Sequence, residues 1–136
     1  MSSILSFAGV LLFLLGLLTG FAIPALRSSR LGLSAHLTAV QSGAFLLAAG
    51  LLWPHLRLWP AWNGVIANAL WISLYGLWLS LLLAGVFGAG RGLPIAGQGI
   101  TTTAAKQYAV SGLMVVASLA LVVVVAAMLL GWSWQA

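Results

Sequence analysis

Read along its length, the chain is a succession of long uncharged apolar runs separated by three short polar stretches. The runs extend from about Ile4 to Leu26, Leu31 to Trp53, Asn63 to Gly88 and Gln107 to Trp132. Crossing about 30 Å of hydrocarbon at a rise of about 1.5 Å per residue takes about 20 residues as a helix, so each run is long enough. No strand-like alternation of apolar and polar positions is present. Backbone amides in lipid must be paired within the segment, and a helix does this by itself. The pattern therefore predicts an all-α integral membrane protein: a single domain over residues 1–136 built as a four-transmembrane-helix, up-down bundle. Pro24 falls near the end of the first run, where the loss of an amide donor is tolerated, and Pro54 stops the second. The first run has no cationic start and exceeds a signal-peptide core in length, so it is read as a retained helix.

The polar stretches set the topology. Arg27-Ser28-Ser29-Arg30 is a tight turn, Pro54 to Trp62 is a Trp-rich connection suited to the headgroup level, and Ala89 to Ala105 is the longest polar segment. The five glycines of the Gly88–Gly99 region allow that last loop to fold back on itself. Up-down topology puts Arg27, Arg30, Arg91 and Lys106 on one side of the membrane, with Arg57 alone on the other. The positive-inside rule then places the first and third loops in the cytoplasm and both termini outside. The expected location is a bacterial-type inner (cytoplasmic) membrane, crossed several times by the chain.

Composition changes the picture mainly by exclusion. Of 136 residues 63% are hydrophobic and 4% charged, with 5 Lys+Arg, no Asp or Glu and no Cys. Paired-carboxylate catalysis, a Ser-His-Asp triad and a carboxylate cage for calcium or magnesium are therefore impossible. Disulfides, zinc ribbons, iron–sulfur clusters and thiol nucleophiles are excluded as well. Five scattered cations on an apolar chain do not form a nucleic-acid-binding patch.

What remains for chemistry is His, Tyr, hydroxyls, amides or a cofactor. His36 lies inside the second span, and an ionisable group there is a functional candidate by default; the plain alternative is a neutral imidazole hydrogen-bonded to a neighbouring helix. One His is too few for zinc or non-haem iron. It is enough for haem, whose porphyrin supplies four nitrogens and needs one proximal imidazole. His55, in the interfacial loop, reads as a wet interface residue. Tyr75, in the middle of the third run, is either bonded to a backbone carbonyl or a proton donor to a substrate. Thr38, Gln41 and Ser42 follow His36 at helical offsets and are either substrate contacts or interhelical hydrogen-bonding groups, as are Asn63 and Asn68. Gly16 and Gly20 form a GxxxG pair that lets helices approach closely, a feature often found at subunit contacts. Trp71 and Trp78 are belt residues or the lining of an aromatic pocket. Arg27, Arg30, Arg91 and Lys106 have no carboxylate to pair with, so their partners are lipid phosphates, solvent or an anionic ligand such as the two propionates of haem.

Several of these residues sit in recognisable words. Ala35-His36-Leu37 followed by Gly43 and GLLWP (Gly50–Pro54), LYG (Leu74–Gly76), GAG (Gly88–Gly90) and above all LPIAGQG (Leu93–Gly99) resemble the hydroxylaminobenzene mutases. The similarity runs in order over nearly the whole chain. That family is similar in turn to the styrene oxide isomerases, four-helix membrane enzymes, trimers, that hold haem b through a histidine early in helix two. In these a helix-three tyrosine and an asparagine six residues after the histidine face the substrate. The resemblance implies His36 as iron ligand and Tyr75 as substrate-facing phenol; with a haem there, Arg27, Arg30 and Arg91, which have no carboxylate in the chain to pair with, are the expected partners for the cofactor. Ser42 stands at the asparagine position with Gln41 beside it, so these two become the candidate polar substrate contacts. Thr38 stands where many mutases carry an acidic residue.

The implied activity is isomerisation of hydroxylaminobenzene to 2-aminophenol, an intramolecular hydroxyl transfer, with haem iron as Lewis acid at the N–O group, in a homo-oligomer. Two other readings fit the length. A small multidrug-type transporter would need the membrane carboxylate that this chain lacks. In a structural or assembly subunit, His36 and Tyr75 would be packing residues.

Overall fold

The computed structural model describes residues 1–93 and 95–132, leaving Pro94 of the LPIAGQG word and residues 133–136 outside the description. Four long helices follow one another: α1 (Ser2–Ala22), α2 (Ser29–Leu52), α3 (Pro60–Phe87) and α4 (Ala104–Leu130). All four are long and apolar enough to cross a membrane, which makes this a multi-pass membrane protein with a four-helix bundle fold.

The helix ends depart from the apolar runs by a few residues, for local reasons. α1 stops at Ala22 rather than near Leu26, and Ile23–Ala25 form a single 3₁₀ turn. Pro24 has no N–H to give to the Gly20 carbonyl; the Ile23 N–H takes that carbonyl instead and tightens the helix. Pro54, which likewise lacks an N–H, lies inside the 3₁₀ turn Trp53–His55 that ends α2. α3 begins earlier than expected, at Pro60, where a first-turn proline loses no hydrogen bond. α2 is capped by Ser28, whose Oγ accepts the Leu31 N–H at 3.3 Å.

α1 and α2 pair antiparallel along a seam of small residues. A Cβ added at Gly9 would lie 2.5 Å from the Leu47 nitrogen, and one at Gly43 would lie 2.5 Å from the Phe13 nitrogen. Only glycine lets the two backbones come this close. α3 packs against α2, and α4 principally against α3. A core of Leu5, Leu12, Ala39, Leu46, Leu70 and Leu74 joins the first three helices, with Val124 reaching it from α4.

The loops pair as up-down topology requires. The Ser28 N–H donates to the Gly85 carbonyl at 3.1 Å, docking the α1–α2 turn on the end of α3. At the other face the Arg57 N–H donates to the Gly131 carbonyl at 2.7 Å, tying the α2–α3 connection to the end of α4. The α3–α4 loop leaves its helix through Gly88, in the left-handed conformation at φ 69°, and folds back so that Gly90 and Gly97 meet backbone to backbone.

Candidate functional site

His36 stands seven residues into α2, against α1 where that helix offers no side chain. Its Nδ1 is 2.7 Å from the Gly16 carbonyl oxygen. A carbonyl only accepts, so Nδ1 carries a proton, and in that tautomer the lone pair stands on Nε2. The ring is half-buried and lies over Gly20, where a Cβ would come within 2.9 Å of Nδ1. The Gly16/Gly20 pair expected at a subunit contact is thus the seat of the imidazole inside one chain. This is the arrangement in which a metal-bound histidine is usually found: one nitrogen fixed by a carbonyl, the other presented. His55 is nineteen residues further along the chain, at the opposite end of α2 and about 28 Å away along the axis. Among the described residues no group of three His, Cys, Asp or Glu side chains could enclose a metal ion. The donor set fits haem, which asks for a single imidazole.

Tyr75 lies near the middle of α3. Its hydroxyl donates to the Ala8 carbonyl at 2.8 Å, the plainer of its two expected roles. Ala8 and Gly16 are eight residues apart on α1, about 12 Å along the axis, so Tyr75 and His36 are held by the same helix at different depths. The gap is bridged by an aromatic wall. Trp71 and Trp78 flank the Tyr75 ring edge-to-face at centroid distances of 5.8 and 6.4 Å. Trp78 reaches the His36 level, donating from Nε1 to Thr19 Oγ1 at 3.2 Å, while Thr19 donates to the Leu15 carbonyl at 2.7 Å.

The remaining candidates separate. Ser42 is buried on the inner side of α2, whereas Gln41 is exposed on its outer face, because successive helical residues point about 100° apart. Thr38 is half-buried. Asn63 accepts the Trp53 Nε1 proton at 2.7 Å and Asn68 that of Trp71 at 3.1 Å, both structural roles.

Two of the cations expected to meet an anion are engaged with backbone. Arg27 donates to the Phe87 carbonyl at 3.1 Å and to the Thr101 carbonyl at 3.3 Å, and Arg30 donates to the Gln98 carbonyl at 3.1 Å. Without a carboxylate in the chain, carbonyl oxygens are the available acceptors, and these bonds strap the glycine loop to the α1–α2 turn. Arg91 lies over the Tyr108 ring, 4.8 Å from its centroid, and Lys106 lies 4.8 Å from that of Phe87. Two contributors escaped the sequence reading: Thr19, hidden among apolar neighbours, and Gln107, counted only as a helix start.

A small polytopic membrane protein with one presented imidazole and an aromatic wall defines the class. The styrene oxide isomerase family model matches residues 1–133. Hydroxylaminobenzene mutase HabB of Ectopseudomonas oleovorans is 46% identical over 127 residues, covering 90% of this chain and 76% of the relative. Hydroxylaminobenzene mutase HabA of the same organism is 39% identical over 118 residues, covering 84% of this chain and 85% of the relative. No solved structure gives a significant match. The chain belongs to the styrene oxide isomerase family and is an enzyme of isomerase type.

Proposed function

We propose that this enzyme converts hydroxylaminobenzene to 2-aminophenol, with haem b held on His36. The names of its two relatives support the reaction. The observation that carries the cofactor is the Nδ1–H bond to the Gly16 carbonyl, which fixes the ring and leaves Nε2 free to ligate. The reaction breaks the N–O bond, forms a C–O bond at the ortho carbon and moves that carbon's proton. Product and substrate are isomers, so no water or net electrons are consumed, which suits a chain without carboxylates or thiols. When bound, the haem iron supplies a Lewis acid for the N–O group.

The chain's own residues do the rest. Arg30, six residues before His36 and about 9 Å along α2, and Arg27 each keep N–H donors beyond those given to the loop carbonyls, and these donors serve as partners for the propionates. Arg91, stacked on the Tyr108 ring, is the third cation assigned to the cofactor. Tyr75 donates its proton to Ala8, so its oxygen lone pairs are what it presents to a substrate N–H or O–H; it becomes a donor when Ala8 is released. Trp71 and Trp78 give the aryl ring a dry face, which keeps an electron-poor aryl nitrogen from water. Ser42 is the inward hydroxyl at their depth. The enzyme works as a homo-oligomer, with a trimer the family expectation, and Gln41 is the mid-membrane polar residue that a subunit contact would cover. It sits in a bacterial inner membrane with the Arg27–Arg91 end in the cytoplasm.

Membranes containing the protein, incubated with hydroxylaminobenzene, are expected to yield 2-aminophenol; persistence of the substrate as in protein-free membranes overturns the assignment. Tyr75→Phe removes one hydrogen bond, about 1 kcal/mol of stability, and is expected to lower turnover about a hundredfold. Unchanged turnover takes the phenol out of the mechanism.

A further inference from the structure

A single stretch of α1 meets two rings. Gly16, Thr19 and Gly20 lie within about one turn of that helix, at spacings of three and four residues. The Gly16 carbonyl takes the His36 Nδ1 proton at 2.7 Å, and Gly20 lies under the same imidazole. Thr19, one position before Gly20 and about 100° around the helix, turns instead to α3, where its Oγ1 accepts the Trp78 Nε1 proton at 3.2 Å. No step of the proposed reaction uses Thr19.

Thr19 is the single polar side chain of α1 beyond Ser6, and it is 5% exposed. Its own O–H is given to the Leu15 carbonyl at 2.7 Å, a back-bond that fixes the hydroxyl and leaves only lone pairs to offer. That bond alone would satisfy a threonine in an apolar helix. The indole is the group in need: within a span its N–H has no water to turn to, and Thr19 Oγ1 is its acceptor. Two hydrogen bonds join α1 to α3 among the described residues, this one and that of Tyr75 to Ala8. The Tyr75 acceptor is main chain, which any residue at position 8 would supply. The Trp78 acceptor exists only because residue 19 carries a hydroxyl.

Trp78 stands edge-to-face to Tyr75 at an interplanar angle of 87°. Apolar neighbours favour burial of an indole without choosing the direction of its N–H edge, and a lone acceptor chooses it. We infer that Thr19 is a positioning residue for the aryl substrate: it orients the Trp78 indole, and through that ring it sets the face against which the substrate's aromatic ring is held. The inference rests on the proposed role of the Trp71–Tyr75–Trp78 wall. Its effect falls on aryl binding rather than on bond breaking, because His36 is seated on the Gly16 main chain and Tyr75 on that of Ala8, and neither acceptor depends on the side chain at position 19.

The test compares the full chain in detergent micelles as parent, Thr19→Val, Thr19→Ser, Trp78→Phe and the double variant Thr19→Val with Trp78→Phe. Valine keeps the shape of threonine without the acceptor, and serine keeps the acceptor. 2-Aminophenol is titrated into protein labelled with ¹⁵N at tryptophan, and the Trp78 indole cross-peak, identified by its loss in Trp78→Phe, is followed. KM and kcat are measured with hydroxylaminobenzene. Thr19→Val is expected to weaken 2-aminophenol binding and to raise KM by about tenfold, with kcat within about twofold of the parent. Thr19→Ser should stay within about threefold of the parent, and in the Trp78→Phe background Thr19→Val should add nothing further to KM. Unchanged binding and KM in Thr19→Val overturn the inference. So does an equal loss in Thr19→Ser, an undiminished effect of Thr19→Val once the indole N–H is gone, or a parent Trp78 cross-peak that 2-aminophenol does not move. A parent that binds 2-aminophenol but forms none from hydroxylaminobenzene overturns the proposed reaction instead, and the binding titration still decides for or against Thr19.

Discussion

Between α1 and α2 the backbones themselves touch, at Gly9, Gly43 and Gly50, whereas between α3 and α4 side chains hold the helices apart. On the α3–α4 side Gly76 comes no closer than 3.3 Å to the Ala117 methyl for an added Cβ, and Gly112 faces open space. An apolar groove of about 550 Å³, lined by Trp62, Val65, Leu119, Val123 and Ala127 among others, runs between these two helices. The tight pair carries the imidazole and the looser half carries the aromatic wall and the glycine loop. In a membrane, lipid tails are as apolar as leucine, so helix pairing depends on close fit rather than on escape from water. A fixed ligand therefore belongs where glycines bring backbones together, and the carbonyl that fixes His36 is exposed to the ring because Gly20, one turn on, has no side chain.

This contrast can be broken most severely at the seam. Gly43→Val would drive a branched side chain into the Phe13 backbone and is expected to cost about 3 kcal/mol or more. Most of the folded protein should be lost in a detergent unfolding titration, and a parent-like midpoint would show that backbone contact does not hold the pair. Gly20→Ala acts more locally. Its methyl would press on His36 Nδ1, so the helices should stay paired while cofactor retention falls about tenfold to a hundredfold, read by visible absorption after gel filtration. Retention equal to the parent would mean that the ring does not need its seat. The smallest effect belongs to the open half. Ala127→Val in the α3–α4 groove should change stability by no more than about 0.5 kcal/mol, and a loss comparable to that at Gly43 would erase the distinction between the two pairs.

How much of this could be read from sequence follows the same physics. The four spans were legible because length and charge depletion report directly on hydrocarbon thickness. His36 was legible because an ionisable side chain in such a span is rare, and the fold-back of the loop because glycines crowd it. The rotation of each helix was not. Where both the core-facing and the lipid-facing sides are apolar, no periodicity says which faces inward, so Gln41 and Ser42 looked equivalent until one proved exposed and the other buried. The same blindness hid the pairing of Gly20 with His36 and of Tyr75 with the Ala8 carbonyl, since both depend on how two featureless helices are turned toward each other. Arg27 and Arg30 were expected to seek an anion; their bonds to loop carbonyls depend on a long-range fold of the α3–α4 loop that no local pattern encodes.

The single imidazole at the α1–α2 seam is the centre of the proposed chemistry, and the visible spectrum of purified His36→Ala beside the parent tests it most directly. The parent should show a Soret band and form 2-aminophenol from hydroxylaminobenzene. The variant should remain folded, since it loses one hydrogen bond from a half-buried site, yet be colourless and inactive. A folded His36→Ala protein that keeps both its Soret band and its activity would contradict the account.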